Sequence, residues 1–304
     1  MSALDRLATA LAAFGDVRQD EPMRRHTTFG IGGPADLFVT VRGADALAGA
    51  GRAARDAGAE VFVLGSGSNI LVADAGMRGV VLDNRARREE PAGSGERFRL
   101  ESGTSFAAFA RRACRMGLDG LTWAVGIPGT LGGAVVYNAG AYGGCLADVL
   151  ARVRLQEADG RDGWVDAAEM GMVYRGSTLT RDRIADRVVL ECEVALVPGD
   201  AHALVERVAA NDRKRLAAQP RGRNAGSMFK NPPEGPAWKL IDAVGLRGAK
   251  RGDAAISEKH CNFFVNEGNA RAADVAGLVT EAERRVLDRF GIRLEREVAF
   301  VGAW

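Results

Sequence analysis

Apolar residues recur every three or four positions in several stretches of the chain, the spacing that predicts amphipathic helices. One such stretch lies near the N-terminus, with Leu4, Leu7, Leu11 and Phe14 on one face. Further helices are predicted over 44–57, 105–116, 201–216, 237–243 and 271–290. Residues 26–41 predict a turn followed by a strand, and short apolar runs predict strands at 60–64, 80–82, 98–100, 152–157, 187–196 and 262–265.

The C-terminal region carries the clearest patterns. The helix over 271–290 has one apolar stripe, with Asn269 available as its N-cap. The stripe consists of Val275, Leu278, Val279, Ala282, Val286 and Phe290. Residues 292–301 instead alternate, with apolar side chains on one side and Glu295 and Glu297 on the other, which predicts a strand. Helices and strands do not follow a regular βαβ order, so an α+β fold is predicted.

Length and composition indicate a folded protein of about two domains. Of its 304 residues, 47% are hydrophobic and 26% are charged, close to the averages for globular proteins. The helix over 201–216 follows Pro198-Gly199 and is predicted to open the second domain. The first domain would then span 1–198 and the second 199–304.

Charge and cysteine content argue against several classes of protein. The 41 Lys and Arg residues against 39 Asp and Glu leave a net charge of +2, too balanced for a dedicated nucleic-acid-binding protein. No apolar run reaches the roughly 18 residues of a membrane span and no basic leader is present, so a cytoplasmic protein is predicted. The four cysteines and three histidines are scattered, which argues against a disulfide framework or a metal site.

Glycine is the compositional outlier, at 39 residues or about 13% of the chain, against a typical 7%. It clusters at 65–69, 126–133 and 140–144. The Gly-Ser-Gly-Ser-Asn run at 65–69 follows a strand and could form an anion-binding nest, although tight turns explain one cluster alone equally well. No GxxxxGK[ST] or Rossmann GxGxxG motif is present. Together, the clusters favour an extended ligand that contains a diphosphate.

The motifs resemble those of the UDP-N-acetylenolpyruvoylglucosamine reductase family, from about His26 to Val301. Each motif is weak alone, but together and in this order they are specific. The matching segments are TTFGIGGPADLFV, LGSGSNILV, GIPGTLGGAVVYNAGAYGG, YRGSTL, AGSMFKNP, AAISEKHCNFFVN with the following ADV, and FGIRLEREVAFVG.

The resemblance implies a two-lobed FAD-binding region of the vanillyl-alcohol-oxidase (PCMH) type and a smaller α+β substrate-binding domain. The first would be 1–198, in two lobes of roughly 1–84 and 85–198, and the second would be 199–304. The last strand, about 292–304, would return toward the FAD region. It also implies the reaction: NADPH reduces non-covalently bound FAD, which reduces the enolpyruvyl double bond of a UDP-sugar in peptidoglycan precursor synthesis. The expected partners are that UDP-sugar and NADPH, with no nucleic acid, and the expected state is a monomer.

Three residues match the catalytic positions of the family. Ser227, in Ala-Gly-Ser-Met-Phe-Lys-Asn-Pro, matches the serine that protonates the carbanionic centre, and without the motif it would more simply be a turn or cap residue. Arg175 matches the arginine that contacts the substrate carboxylate, for which its planar fork is suited. Glu297 matches the second acid of the L-E-x-E-V pattern, so a misassignment to Glu295 is the main risk.

The resemblance also implies binding residues. Tyr174, Lys230 and Asn231 are expected at the substrate, and Lys230 is one candidate to stabilise the Ser227 alkoxide. Residues 201–260 carry twelve Lys or Arg against six Asp or Glu, which fits a site for phosphorylated ligands, although a solvated basic face would look the same. The expected FAD contacts are Gly65, Ser66, Gly67, Ser68, Asn69, Gly126, Ile127, Gly129, Gly133, Ala134, Asn138 and Gly140.

The sequence departs from the family pattern before the Ala-Gly-Ser motif. Many relatives have a basic residue beside Gln-Pro, and here Lys214 and Arg215 both precede Gln219-Pro220. The short connection that follows places Arg223 as a further candidate for a flavin or phosphate contact. No inserted tyrosine-bearing loop is evident, which indicates the shorter form of the family.

Other functions remain as hypotheses at this point. An oxidase on the same flavin fold explains the glycine clusters but not the set of Ser227, Arg175 and Glu297. A catalytically silent flavin- or nucleotide-sugar-binding protein does not explain that set either. A serine hydrolase would need a base such as His260, but no GxSxG motif surrounds Ser227.

Overall fold

The computed structural model describes residues 2–93, 95–181 and 187–304. Contacts divide the chain into two units that are interleaved in sequence. Unit 1 comprises the described parts of 1–19, 37–65 and 79–215, and unit 2 comprises 20–36, 66–78 and 216–304. The division at residue 198 into an FAD-binding and a substrate-binding part stays a prediction.

The helices of the described residues match most of the predicted ones. The α-helices are α1 (Ala3–Leu11), α2 (Ala44–Asp56), α3 (Phe106–Arg115), α4 (Leu131–Val136), α5 (Thr178–Arg181), α6 (Ala201–Ala218), α7 (Ala237–Ala243) and α8 (Ala272–Phe290). Short 3-10 helices occupy Met23–Arg25, Ala124–Gly126, Leu146–Asp148 and Ala167–Met170. No helix of the described residues is long and apolar enough to cross a membrane.

Strands are numbered in chain order. They are β1 (Gly15–Pro22), β2 (Pro34–Val41), β3 (Val61–Leu64), β4 (Ile70–Val72), β5 (Met77–Asn84), β6 (Glu89–Pro91), β7 (Arg97–Glu101), β8 (Leu118–Asp119), β9 (Gly140–Ala141), β10 (Gly144–Cys145), β11 (Leu150–Gln156), β12 (Asp162–Asp166), β13 (Val188–Ala195), β14 (Val197–Pro198), β15 (Arg223–Ser227), β16 (Lys250–Arg251), β17 (Ala254–Ile256), β18 (Phe263–Asn266) and β19 (Ala299–Val301).

Unit 1 is built on two sheets. Most of a four-stranded sheet in the order β1-β2-β5-β3 lies in it, with β3 and β5 parallel. The second sheet has the order β12-β11-β13-β7-β6 and is antiparallel throughout. Its central strand β13 is buried over most of its length because apolar residues cover it. Val188 and Leu190 pack with α2, and Cys192 and Val194 pack in the core that contains α3 and α4.

Unit 2 combines an antiparallel sheet, in the order β15-β18-β17-β16, with α7, α8 and the parallel pair β4 and β19. The apolar stripe of α8 faces its core, and Val275, Val279 and Val286 are fully buried there. Residues distant in sequence complete the same core, including Phe29, Ile31 and Leu71. Burial of such side chains stabilises a fold by about 1.5–3 kcal/mol each.

Two predictions for the C-terminal region are wrong. The N-cap of α8 is Arg271 rather than Asn269. The backbone N–H groups of Ala272 and Ala273 donate to the carboxylate of Asp74, at 2.8 and 3.0 Å, so an acidic residue from a distant segment satisfies the helix N-terminus.

The predicted strand over 292–301 is confined to β19 (Ala299–Val301). The preceding residues contact the segment after β15 irregularly: the N–H groups of Glu297 and Val298 both donate to the Met228 carbonyl, at 2.8 and 3.4 Å. A regular ladder gives each carbonyl its own partner, so two donors on one carbonyl interrupt the strand.

Candidate active site

The glycine-rich segment of unit 1 extends from the 3-10 helix at Ala124–Gly126 to β10. Most of its glycines are required by the chain's own packing. A Cβ at Gly140 would lie 2.7 Å from the Gly144 carbonyl oxygen, and one at Gly126 would lie 2.6 Å from Cδ of Arg215. Gly65, at the end of β3, is likewise closed by the Thr130 hydroxyl. These glycines therefore shape the segment rather than simply leaving room for a ligand.

Gly133 in α4 is different. A Cβ at this position would meet only one described atom within 4 Å, Oγ1 of Thr130 at 3.9 Å. Because no described part of the chain needs this space, Gly133 leaves bare backbone that an extended ligand can approach. An FAD contact at Gly133, next to the predicted contact Ala134, stays a prediction, for which the open backbone leaves room.

A neighbouring segment holds the start of α4 in place. Leu131 N donates to the Thr104 carbonyl at 2.9 Å, and Gly132 N donates to the Ser102 carbonyl at 2.8 Å. In return, Phe106 N donates to the Gly129 carbonyl at 3.2 Å. Sequence reasoning missed this supporting role, although Gly103-Thr104-Ser105 before α3 is a short polar break that could have marked it.

Asn138, a predicted FAD contact, uses its side chain within unit 1. Its Oδ1 accepts from Ala147 N at 3.1 Å, and its Nδ2 donates to the Val173 carbonyl at 3.0 Å. The residue has a φ of 42°, in the left-handed region that asparagine tolerates better than most residues. The side chain therefore links the glycine-rich segment to the loop that carries Tyr174 and Arg175.

Arg175 is fixed against the same segment. Its Nη1 donates to the Gly140 carbonyl at 2.8 Å, and its guanidinium lies 5.3 Å from the centre of the Tyr174 ring. Arg175 has a φ of 55°, a conformation that costs about 1–3 kcal/mol outside glycine. Tyr174 itself is 59% exposed. The structure therefore brings together two predicted positions of unit 1, Arg175 and Gly140.

The Gly-Ser loop has its own support in unit 2. Gly67 has a φ of 63°, and its Cβ position is blocked by the His26 carbonyl. Thr28 N donates to the Gly67 carbonyl at 3.0 Å, and the Ser66 hydroxyl donates to that of Ser68 at 3.2 Å. The TTFG motif thus braces this loop, and no covalent role for His26 is needed to explain its position.

Ser227 lies at the end of β15, opposite Phe263 of β18. Between Asn224 and Ser227 the register slips by one residue, and Gly226 has a φ of 81° at this bulge. A bulge turns the following side chain out of the regular ladder. Ser227 is half-buried, and its backbone is paired at the end of the sheet strand.

The segment of Glu295 and Glu297 runs alongside the residues that follow Ser227. Glu297 N donates to the Met228 carbonyl at 2.8 Å, and Lys230 N donates to the Glu295 carbonyl at 2.8 Å. Asn69, predicted at FAD, donates from Nδ2 to the Glu297 carbonyl at 3.1 Å. Unit 2 therefore brings together Ser227, Glu297 and Asn69, which are remote in sequence.

The two acids differ in their surroundings. The Glu295 side chain is 70% exposed and forms an ion pair with Lys230, whereas Glu297 is half-buried. Lys230 is thus paired with Glu295 in this structure. Asn231 accepts a hydrogen bond at Oδ1 from Ala237 N, at 3.1 Å, and so stabilises the start of α7.

His260 does not form a hydrolase pair with Ser227. Its Nδ1 accepts from Asn262 N at 3.3 Å, its ring stacks edge-on with Phe263, and burial lowers its pKa. No hydrogen bond between His260 and Ser227 is present among the described residues. The hydrolase hypothesis therefore lacks its base.

The sequence offers three basic residues as candidate contacts to a flavin or a phosphate. Lys214 is exposed, and Arg223 is exposed beside Gly30, with Nη1 donating to the Gly268 carbonyl at 3.3 Å. Arg215 instead lies half-buried over Gly126 in the glycine-rich segment. Of the three, only Arg215 is directed at a predicted FAD contact within its own unit.

Comparison with protein families and known proteins gives consistent matches. Residues 218–301 match the family model of the C-terminal domain of UDP-N-acetylenolpyruvoylglucosamine reductase, and residues 35–162 match an FAD-binding domain. The chain is 42% identical to UDP-N-acetylenolpyruvoylglucosamine reductase 2 of Symbiobacterium thermophilum, over 98% of this chain and 96% of that protein. It is 44% identical to the reductase of Desulfosudis oleivorans, over 94% and 95% of the two chains.

A solved structure agrees with these matches. The crystal structure of UDP-N-acetylenolpyruvylglucosamine reductase from Thermus caldophilus superposes with a TM-score of 0.79 and 35% identity, and the match covers 94% of this chain and 98% of that one.

Proposed function

The chain belongs to the UDP-N-acetylenolpyruvoylglucosamine reductase family, and from this premise we propose that it reduces the enolpyruvyl group of UDP-N-acetylenolpyruvoylglucosamine to a lactyl ether at the expense of NADPH. The product, UDP-N-acetylmuramate, is a peptidoglycan precursor. The observation that carries the proposal is the 42% identity to the Symbiobacterium thermophilum reductase over 98% of the chain. The sequence also contains the Ser227, Arg175 and Glu297 motifs.

Family membership has direct consequences for class and cofactor. The protein is an FAD-dependent oxidoreductase, and the predicted α+β fold with an FAD-binding region is confirmed. When bound, FAD supplies the hydride that is added to the alkene carbon remote from the carboxylate. The protein must then stabilise the charge that develops on the carboxylate and deliver a proton to the adjacent carbon.

We assign the proton to Oγ of Ser227. The bulge at Gly226 and the hydrogen bond from Met228 N to the Asn262 carbonyl, at 2.7 Å, fix the backbone on both sides of the serine. A fixed hydroxyl is ready to donate without a further loss of conformational entropy. Its alkoxide is a strong base, so it recovers a proton from solvent or from a neighbouring acid.

We assign Arg175 to the substrate carboxylate. Its hydrogen bond to the Gly140 carbonyl holds the guanidinium beside the glycine-rich segment. The planar guanidinium carries five N–H donors in a fork that matches the geometry of a carboxylate. A permanent positive charge lowers the energy of the enolate more than that of the ground-state carboxylate, because negative charge accumulates there as the hydride arrives.

We assign the second electrostatic role to Glu297. Because Asn69 and Met228 hold its backbone, the carboxyl group is presented from a fixed position in unit 2. Its predicted role is to orient the arginine or to polarise the substrate carboxyl. The pairing of Glu295 with Lys230 supports this choice between the two acids.

The binding residues remain proposals as well. Tyr174, Lys230 and Asn231 would bind the UDP-sugar, and Lys230 would exchange Glu295 for a substrate phosphate. The parts 1–198 and 199–304 would contribute the FAD and substrate sites, respectively. The FAD contacts would be Gly65, Ser66, Gly67, Ser68, Asn69, Gly126, Ile127, Gly129, Gly133, Ala134, Asn138 and Gly140. The cytoplasmic location and the monomeric state stay predictions.

The test follows both half-reactions of the purified protein. A flavin absorption spectrum is expected, with NADPH oxidation that requires the enolpyruvyl sugar nucleotide. NADPH oxidation that proceeds at the same rate without this substrate and consumes oxygen would indicate an oxidase. A bound flavin that NADPH never reduces would indicate a silent binding protein.

A further inference from the structure

The guanidinium of Arg215 is half-buried and makes no hydrogen bond or ion pair with any residue that the structure describes. Arg215 belongs to α6 in unit 1. Other arginines of the same unit are paired: Arg111 forms two hydrogen bonds with Asp212, at 2.7 and 2.9 Å, and Arg207 contacts Asp119 at 3.2 Å. A half-buried cation that lacks such direct pairing has donors left for an anionic ligand.

Burial affects this residue directly. It lowers the pKa of the Arg215 guanidinium, and Tyr142 and Asp212 offset only part of this effect. An arginine nonetheless stays protonated at neutral pH. The charge therefore persists in a place where water is partly excluded, and an anionic ligand gains more there than at an exposed lysine.

The side chain of Arg215 lies against the start of the glycine-rich segment. Cδ, Nε and Nη1 of Arg215 lie 2.6, 3.3 and 3.4 Å from the position that a Cβ would take at Gly126. The side chain thus lies flat on bare backbone at the start of the glycine-rich segment. Arg111 holds the preceding residue, donating from Nη2 to the Val125 carbonyl at 3.0 Å. Both arginines approach the segment whose Gly133 is open to a ligand.

We propose that Arg215 binds an anionic group of FAD through its planar fork. Two parts of the cofactor have this chemistry: the diphosphate, and the N1–C2=O edge of the flavin ring, which gains negative charge on reduction. In both, oxygen or nitrogen acceptors carry negative charge that several guanidinium donors can meet together. The inference extends the proposed function, since it requires only that FAD lies along the glycine-rich segment.

The test uses the full-length protein, from which FAD is removed and titrated back. Arg215→Gln is compared with Lys214→Gln, which removes an equal charge from the exposed neighbouring residue. Two quantities are measured: the dissociation constant of oxidised FAD, by flavin fluorescence, and the midpoint potential of the bound flavin, by equilibration with a reference dye. Lys214→Gln should match the unmodified protein in both.

The two sources of negative charge give different results. If Arg215 binds the diphosphate, Arg215→Gln raises the dissociation constant of oxidised FAD by about 10- to 100-fold, the usual effect of losing hydrogen bonds to a charged group. If it binds the ring edge, the affinity for oxidised FAD changes little, but the potential falls by about 30 mV for each tenfold loss in preference for the reduced form. Either result supports the proposal.

The proposal is overturned if Arg215→Gln equals Lys214→Gln in both affinity and potential. Should Arg215→Gln fail to fold, Arg215→Lys and Gly126→Ala replace it, because the first loses the fork and the second displaces the side chain. Both should then weaken FAD binding or lower the potential, and normal values in both would refute the proposal. These measurements need neither NADPH nor the sugar nucleotide, so failure of the proposed reaction would leave them unaffected.

Discussion

The glycine-rich segment of unit 1 and the Ser227 region of unit 2 acquire their shapes in different ways. In the first, glycines admit the chain's own atoms, as at Gly126 and Gly140. In the second, Gly226 permits one bulge, and the shape comes mainly from hydrogen bonds with residues about seventy positions later. A cluster of glycines therefore marks a self-packed loop first and a ligand site second. The candidate chemistry arises where composition is ordinary.

The largest effect on activity should come from a substitution in the Ser227 region of unit 2. Ser227→Ala is expected to slow alkene reduction by about 10²- to 10⁴-fold, because the proton donor is lost. Reduction of the flavin by NADPH, followed by stopped-flow absorbance, should stay near normal, since the bulge at Gly226 does not depend on the hydroxyl. If both half-reactions fall together, Ser227 does not act as the proton donor.

A smaller loss of activity is expected on substitution of Glu297, whose backbone is hydrogen-bonded to Met228. Glu297→Gln should reduce kcat/KM by about 10²-fold, since a neutral amide replaces the carboxyl group that orients the arginine or polarises the substrate carboxyl. The matched control is Glu295→Gln, at an exposed ion pair with Lys230, where less than about a threefold change is expected. Steady-state kinetics with the sugar nucleotide measure both. The reverse order would show that the catalytic acid is Glu295.

Two glycine substitutions sharpen the contrast within unit 1. Gly140→Ala forces a Cβ against the Gly144 carbonyl and should lower the free energy of unfolding by about 1–3 kcal/mol. Gly133→Ala meets no such obstacle in α4 and should maintain or raise stability, while it weakens FAD binding. Urea denaturation of the apoprotein and FAD titration separate the two effects. Equal destabilisation by both would mean that Gly133 is a packing position too.

The smallest effect concerns the pH dependence of stability. Burial holds the pKa of His260 below its ordinary value of 6.5, so the unfolded state binds more protons between that value and the folded pKa. Stability is therefore full above pH 6.5 and declines as the pH falls through this window. His260→Gln should flatten the decline, whereas His202→Gln, at a side chain that is 86% exposed, should leave it unchanged. Urea midpoints at pH 7.5 and 5.5 provide the measurement.

The sequence predicted what depends on local pattern. The period of α8 places its apolar stripe correctly, and α7 has the predicted bounds, because residues three or four apart share a helix face. The FAD-binding region followed from motifs whose order is specific to one family. These predictions need no knowledge of distant contacts.

The remaining features depend on residues far apart in the chain. Alternation over 292–301 predicted a strand, but convergence of two N–H groups on Met228 interrupts it, and this has no local signature. Asp74, and not the predicted cap Asn269, accepts hydrogen bonds from the start of α8, and this distant contact also has no local signature. The side-chain link from Asn69 to the Glu297 carbonyl and the position of Arg215 over Gly126 likewise require the folded chain.

The interleaving of unit 2 has a consequence for biosynthesis. The ribosome synthesises Phe29, Ile31 and Leu71 long before the helices and strands that bury them. Strand β4 likewise has no parallel neighbour until β19 has been synthesised. Nascent chains therefore expose this apolar surface until residues 216–301 have been synthesised, a period in which a chaperone can shield it. A truncated gene that encodes only 216–304 would yield a polypeptide without these early residues, prone to aggregate rather than to form an independent domain.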